Sequence, residues 1–324
     1  MASNKNNPNR NTRATRRAAE EAAAKAAAEQ AARERKQQTI IGAVVVAIVV
    51  ALVAVIGVTI WRSVSQSIKD ANTTAEDAYA QVQAVKTKPT RADDKGGVLM
   101  SKDGYGKKVD NVPTIGVYMD FMCPGCGNLN RSLDATLIKM MNAGQINLDL
   151  HFLSFMDGQS TDEYSSRAAG AALYIADHDD DPNHLLDFVT NLYKEDFQPA
   201  EGSDYKSVSD DKLKEQAVKA GVSEDVASKA FGREYQDWLN AINDYVPRRT
   251  ELLNTSGSYK GAFTTPTVVI NGTRWDMNQL ATTKQTIPDG FLESIGLDSA
   301  NVGVAGKLPS IGADKEPISL MTGE

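Results

Sequence analysis

The 324-residue chain has two cysteines, in the run Cys123-Pro124-Gly125-Cys126. A loop this short constrains little of an unfolded chain, so a structural disulfide is the weaker reading. Two thiols so placed can carry out dithiol–disulfide exchange: one attacks as thiolate, and the other resolves the mixed disulfide. Zinc is the rival, because His178 and His184 form an H-x5-H pair of ligand-like spacing. However, 51 residues separate Cys126 from His178, and Asp177-His178-Asp179-Asp180-Asp181 reads as a polar loop capping the next helix. Exchange chemistry needs neither metal nor cofactor, and none is expected.

The flanking elements suit that chemistry. Residues 114–122 form an apolar run of strand type ending directly at Cys123. Leu129, Leu133, Leu137, Met140 and Met141 then recur at spacings of three and four, which predicts a helix with one buried face, stopped by Gly144. Pro124 suits the first helical position, so Cys123 falls at the N-cap. There its sulfur meets unpaired N–H groups and the positive end of the helix dipole, both of which favour thiolate. Cys126 lies one turn later and faces inward, as a resolving thiol requires. Gly125 adds neither charge nor side-chain donor.

Beyond the motif, residues 146–155 alternate as a second strand, and residues 160–253 read as largely helical. Ser160 with Glu163 has the capping-box pattern; Asp181-Pro182, Ser209 and Ser223 mark further helix starts, and Gly221 a stop. Residues 267–270 return to strand, with the hairpin signal Asn271-Gly272 after them. An amphipathic stretch runs to about Leu297. The fold class expected is α/β: a mixed sheet covered by helices, with a helical subdomain inserted at about 157–260. The folded domain is placed at 96–297, after a stalk at 62–95 that Lys88-Pro89-Thr90 interrupts, and before a loose tail at 298–324.

The N-terminal part sets the expected location. Residues 1–38 carry nine Lys or Arg and four Glu among many alanines; subtracting them from the totals leaves 26 basic and 38 acidic residues. Residues 40–60 form an uncharged run of 21 residues, IIGAVVVAIVVALVAVIGVTI, enough to span a bilayer as a helix and too long for a cleavable signal. The segment 39–61 is therefore expected to be an uncleaved signal-anchor in contact with membrane lipid. The basic flank keeps the head cytoplasmic and exports the acidic remainder. With its arginines diluted by Glu20, Glu21, Glu29 and Glu34, the head reads as a topology signal; nucleic acid is not an expected partner.

Residues from about 96 to 296 resemble the DsbA-like thioredoxin-fold family, and within it the membrane-anchored actinobacterial and Gram-positive branch. The resemblance rests on Gly96-Gly97-Val98 leading through a turn to the run from Tyr118 to Gly127, on the helical insertion, and on Thr264-Thr265-Pro266-Thr267-Val268-Val269-Ile270-Asn271-Gly272. It implies a thioredoxin-like fold, a cis Pro266 opposite the redox pair, and a Thr265 backbone that pairs with substrate beside Cys123. It also implies that Cys123 is nucleophile and Cys126 resolving thiol, that the substrates are unfolded or reduced exported proteins, and that a quinone-linked membrane partner restores the disulfide. Two positions depart from the pattern. Val117 occupies the place where many relatives hold a buried carboxylate, with Asp120 on the opposite strand parity. Gly125 stands where strong oxidants carry His. His151 reads as structural. Disulfide formation is the favoured direction. A reductase or isomerase, for instance in cytochrome maturation, uses the same site, and a membrane-tethered peptide-binding or chaperone module is the reading from another class.

Overall fold

The computed structural model describes residues 73–322. The expected cytoplasmic head and membrane span lie outside the described residues, among which no helix is long and apolar enough to cross a membrane. In chain order the strands are β1 (Gly97–Ser101), β2 (Gly104–Tyr105), β3 (Thr114–Asp120), β4 (Asn147–Leu153), β5 (Thr267–Ile270) and β6 (Thr273–Arg274). They form one sheet in the order β2-β1-β4-β3-β5-β6, with β3 and β4 parallel and every other pair antiparallel. The helices are α1 (Ala75–Ala84), α2 (Pro124–Asn142), α3 (Tyr164–His178), α4 (Pro182–Leu192), α5 (Asp210–Lys219), α6 (Glu224–Lys229), α7 (Gln236–Tyr245), α8 (Asn278–Thr283) and α9 (Ile287–Ile295). This is a thioredoxin-like α/β fold, with α3 to α7 inserted between β4 and β5.

Strand parity divides the sheet into unlike faces. Ile115, Val117 and Met119 stand opposite Leu148, Leu150 and Phe152, and the buried side of α2 (Leu129, Leu133, Leu137) covers this apolar face. Tyr118 stands opposite His151 and Gly116 opposite Asp149 on the other face, which α3, α7 and Arg249 cover. The Asn271-Gly272 turn is built with both residues at positive φ, as a two-residue hairpin of that sequence requires.

Three boundaries differ from expectation. The folded unit begins at Thr74 rather than Gly96, because residues 74–95 of the expected stalk dock. Ala78 and Val82 of α1 are fully buried, Tyr79 packs on Tyr245 of α7 at 5.2 Å, and Arg91 donates to the Ala176 and Asp179 carbonyls at 2.9 and 2.6 Å. The expected loose tail is pinned through residue 320. The buried Gln145 side chain donates to the carbonyls of Asn301, Val304 and Lys307, Asn271 holds the Gly312 and Lys315 carbonyls, and Ile311 and Leu320 are buried. Ser160 and Glu163 form no capping box, since Glu163 takes a left-handed φ of 56° as N-cap; Ser160 instead accepts from the Tyr164 N–H at 3.0 Å.

Candidate active site

The motif sits where β3 hands over to α2. Cys123 is the N-cap with an extended backbone (φ −64°, ψ 118°), and Pro124 opens the helix. The cap geometry aims the Cys126 N–H at Cys123 Sγ, 3.4 Å away. Both cysteines are buried, Cys123 at 7% exposure at the start of α2 and Cys126 at 2% one turn deeper in the apolar core. Both are free thiols.

Their acidities diverge accordingly. The Cys123 pKa falls to about 6, chiefly because the Cys126 thiol donates to its sulfur; Thr265 and the N–H groups of Cys126 and Gly125 add to this against the penalty of burial. Burial pushes Cys126 well above the ordinary thiol value, and hydrogen bonding to Cys123 adds to the rise. At neutral pH the pair therefore holds a thiolate at Cys123 and a thiol at Cys126.

The second wall is the loop before β5. The Thr265–Pro266 peptide is cis, and the Cys123 thiol lies 3.4 Å from the Thr265 carbonyl, to which it donates when protonated. A Cβ on Gly125 would stand 3.0 Å from Pro266 Cδ and 3.6 Å from Cys123 Sγ, so the glycine lets the two walls approach. Cys123, Cys126, Pro124, Gly125, Thr265 and Pro266 are thus brought together. Phe155, 45% exposed, packs edge-on at 6.3 Å against Phe263, which stands two residues before Thr265 in the chain.

Of the other residues weighed in the sequence, Asp120 ends β3 next to the motif, its carbonyl accepting from the Cys123 N–H at 3.0 Å. Asp120 points to the polar face of the sheet, where its carboxylate accepts from the Met122 N–H (2.9 Å), the Met156 N–H (3.0 Å) and Ser165 Oγ (2.5 Å). It fastens the end of β3 to the exit of β4 and to α3. Burial raises its pKa to about 6, against those three hydrogen bonds. His151 stacks on Tyr118 at 3.9 Å and bonds Asp149 at 3.3 Å, on the same face. His178 donates to the Tyr174 carbonyl at 3.0 Å, and His184 pairs with Asp179 at 3.0 Å.

Two features were missed from sequence. On α2, Asn130 is buried and donates to Asp134, whose pKa is pushed up to about 7 by burial beside Val117 and Met119. From the insertion, Tyr193 and Gln198 reach the carbonyls of the active-site turn: Tyr193 Oη donates to Asp120 O at 3.0 Å, and Gln198 Nε2 to Phe121 O at 3.2 Å and Cys123 O at 3.0 Å. One signal was legible. Gly127, a weak helix former inside a helix, marks a close approach.

Residues 106–289 match the family model described as thioredoxin. Among curated proteins, the serine/threonine-protein kinase PknE of Mycobacterium tuberculosis is 33% identical over 91 residues, which is 28% of this chain and 16% of the kinase. The same figures hold for PknE of Mycobacterium bovis, so the chain spans about 16% of the length of the curated relatives it matches. Among solved structures, reduced DsbA from Mycobacterium tuberculosis is 26% identical, with a TM-score of 0.46, over 58% of this chain and 89% of that one. Reduced DsbG from the same organism is 25% identical, with a TM-score of 0.45, over 63% and 89%. MdbA from Actinomyces oris, a thiol-disulfide oxidoreductase, is 17% identical, with a TM-score of 0.46, over 64% and 90%.

Proposed function

The chain belongs to the thioredoxin family, and on that premise we propose that it is a protein thiol–disulfide oxidoreductase working in the direction of disulfide formation. The observation that carries this reading is the split between the two sulfurs, with Cys123 at the N-cap favouring thiolate and the more deeply buried Cys126 held as thiol.

In the oxidised protein a substrate thiolate attacks Cys123 Sγ. The Cys123–Cys126 bond breaks, and the bonding pair leaves on Cys126, which takes up a proton. A second substrate thiolate then attacks the substrate sulfur of the mixed disulfide and expels Cys123 as thiolate. The substrate loses two electrons and two protons and gains a disulfide; the protein gains a dithiol. Cys123 is a good leaving group because its thiolate is stable near pH 6 and above, which favours release of oxidised product. Reduction of substrates starts from the same Cys123 thiolate, but its second step requires Cys126 to lose a proton that burial holds.

Substrates are unfolded or reduced exported proteins, whose backbone pairs with Thr265 and whose apolar side chains rest on Phe155 and Phe263. A quinone-linked membrane partner reoxidises the dithiol, and residues 39–61 anchor the chain in the lipid with the redox domain outside. The apolar run and its basic flank support this topology.

Reduced, unfolded ribonuclease tests the direction. The full-length protein should restore ribonuclease activity with an oxidant present, and should reduce insulin poorly. Efficient insulin reduction with no oxidase activity supports the reductase instead. Protease added to wall-stripped cells should degrade the region after residue 62 and spare the head; protection of residues 100–300 excludes export.

A further inference from the structure

The turn that carries Cys123 is held by a side chain 75 residues away in sequence. Gln198 lies in the turn that follows α4, its own N–H donating to the Lys194 carbonyl at 2.9 Å. Its Oε1 accepts from Arg131 Nη1 at 3.3 Å, and the same Nη1 donates to the Tyr193 carbonyl at 2.8 Å. With the oxygen so occupied, the amide presents Nε2 to the active-site turn, bonding the carbonyls of both Phe121 and Cys123.

Gly127 makes room for this arrangement. A Cβ there would stand 2.0 Å from Gln198 Oε1 and 2.7 Å from Arg131 Nη1. Both atoms are ends of flexible side chains, so a larger residue displaces them without disturbing the backbone. The position is one where glycine weakens the helix, yet only glycine lets the amide lie flat against it.

The Cys123 carbonyl is the N-cap carbonyl of α2 and also accepts from the Gly127 N–H at 3.1 Å. Holding that peptide plane fixes the direction in which the first-turn N–H groups meet Cys123 Sγ. The Nε2 hydrogens also offset the negative ends of two carbonyl dipoles beside the sulfur. Gly125 supplies no stiffness of its own to this turn, so the bracing comes from outside it.

The geometry points to Gln198 as a positioning residue: an amide carried by the helical insertion, seated in the space Gly127 leaves, that orients the Cys123 turn and sets how readily its sulfur ionises. This rests on the dithiol reading above. It gives the insertion a part in the chemistry of the core fold.

The test compares full-length wild type with Gln198→Leu, Gly127→Ala, the double variant and Gln198→Lys. Two readouts are taken: the pH dependence of iodoacetamide alkylation at Cys123, and the equilibrium of the disulfide with glutathione. Loss of one hydrogen-bonding group corresponds to a weakening of Cys123 acidity of roughly three- to tenfold in either single variant. The double variant should lose no more than one single, because both changes remove the same contact. Gln198→Lys keeps donors at the carbonyls and adds a cation that favours thiolate, so Cys123 should be at least as acidic as in wild type. Gly127→Ala introduces a better helix former, so its fold should survive even where Gln198→Leu proves unstable. Unchanged profiles in the single variants, or additive losses in the double, overturn the inference. A wild type in which Cys123 titrates as an ordinary thiol and forms no disulfide with Cys126 overturns the functional reading itself.

Discussion

The two faces of the central sheet meet at the same cysteine motif and serve it differently. The face under α2 is apolar and receives Cys126; the opposite face carries Tyr118, Asp120, Asp149 and His151. Strand parity makes this division: Val117 turns toward α2, and Asp120, three residues on, turns away. The polar face therefore anchors the loop, while the apolar face keeps the resolving thiol protonated by excluding water. With Val117 in β3 at that level, the carboxylate bordering the apolar face comes from the helix, as Asp134.

Breaking the polar face should have the larger effect on stability. Asp120→Ala leaves the Met122 and Met156 N–H groups and the Ser165 hydroxyl without their acceptor. The expected cost is about 3 kcal/mol, read as a lower midpoint in urea unfolding with unchanged slope. A loss within experimental error would show that the three groups find other partners and that the anchor is dispensable.

The apolar face offers a smaller, pH-dependent test. Asp134 has its folded-state pKa raised to about 7 by burial. A raised value means that the protonated form favours folding; the contribution is complete below the unfolded-state pKa of about 3.9 and is lost as pH rises through 7. Asp134→Asn removes that loss. Its stability relative to wild type should therefore grow between about pH 4 and pH 8, by on the order of 1–2 kcal/mol, because the half-buried carboxylate keeps some contact with solvent. A difference that stays flat with pH would mean that Asp134 ionises freely in the folded protein.

The smallest expected effect lies between the faces, at Gly125. Gly125→His places an imidazolium beside the sulfur and should lower the Cys123 pKa further and make the disulfide more oxidising. A gain of about 1.4 kcal/mol in stability of the reduced form corresponds to about 30 mV. The Cβ must share space with Pro266 Cδ at 3.0 Å, so part of the gain is expected to be lost to displacement of the loop. A potential that does not move shows that another group sets the poise.

What was legible in the sequence was local or periodic. The N-cap at Cys123, Pro124 after it, the buried stripe of α2 and the Asn271-Gly272 turn each follow from neighbours within a turn or two. Asp120 was read correctly as facing away from α2, because strand period is exact over seven residues. Contacts made at long range were not legible. Thr90 and Arg91 bind the Asp177–Asp180 loop more than 80 residues away, and that contact helps make residues 74–95 of the expected stalk part of the domain. Gln145 grips the tail 156 residues later. Neither a lone Gln nor a polar, proline-broken segment announces such a partner. Ser160 and Glu163 had the right spacing for a capping box, but the chain turns left-handed at Glu163 and starts the helix one residue later.

The most direct measurement of the central claim is capture of substrate on each cysteine in cells. In Cys126→Ser the escape route by attack of Cys126 on the mixed disulfide is gone, so substrate proteins should accumulate as mixed disulfides on Cys123, visible on non-reducing gels and released by reductant. Cys123→Ser should capture far fewer, since Cys126 is buried and protonated. Equal capture by the two variants, or none by either, would contradict the division of roles on which the account stands.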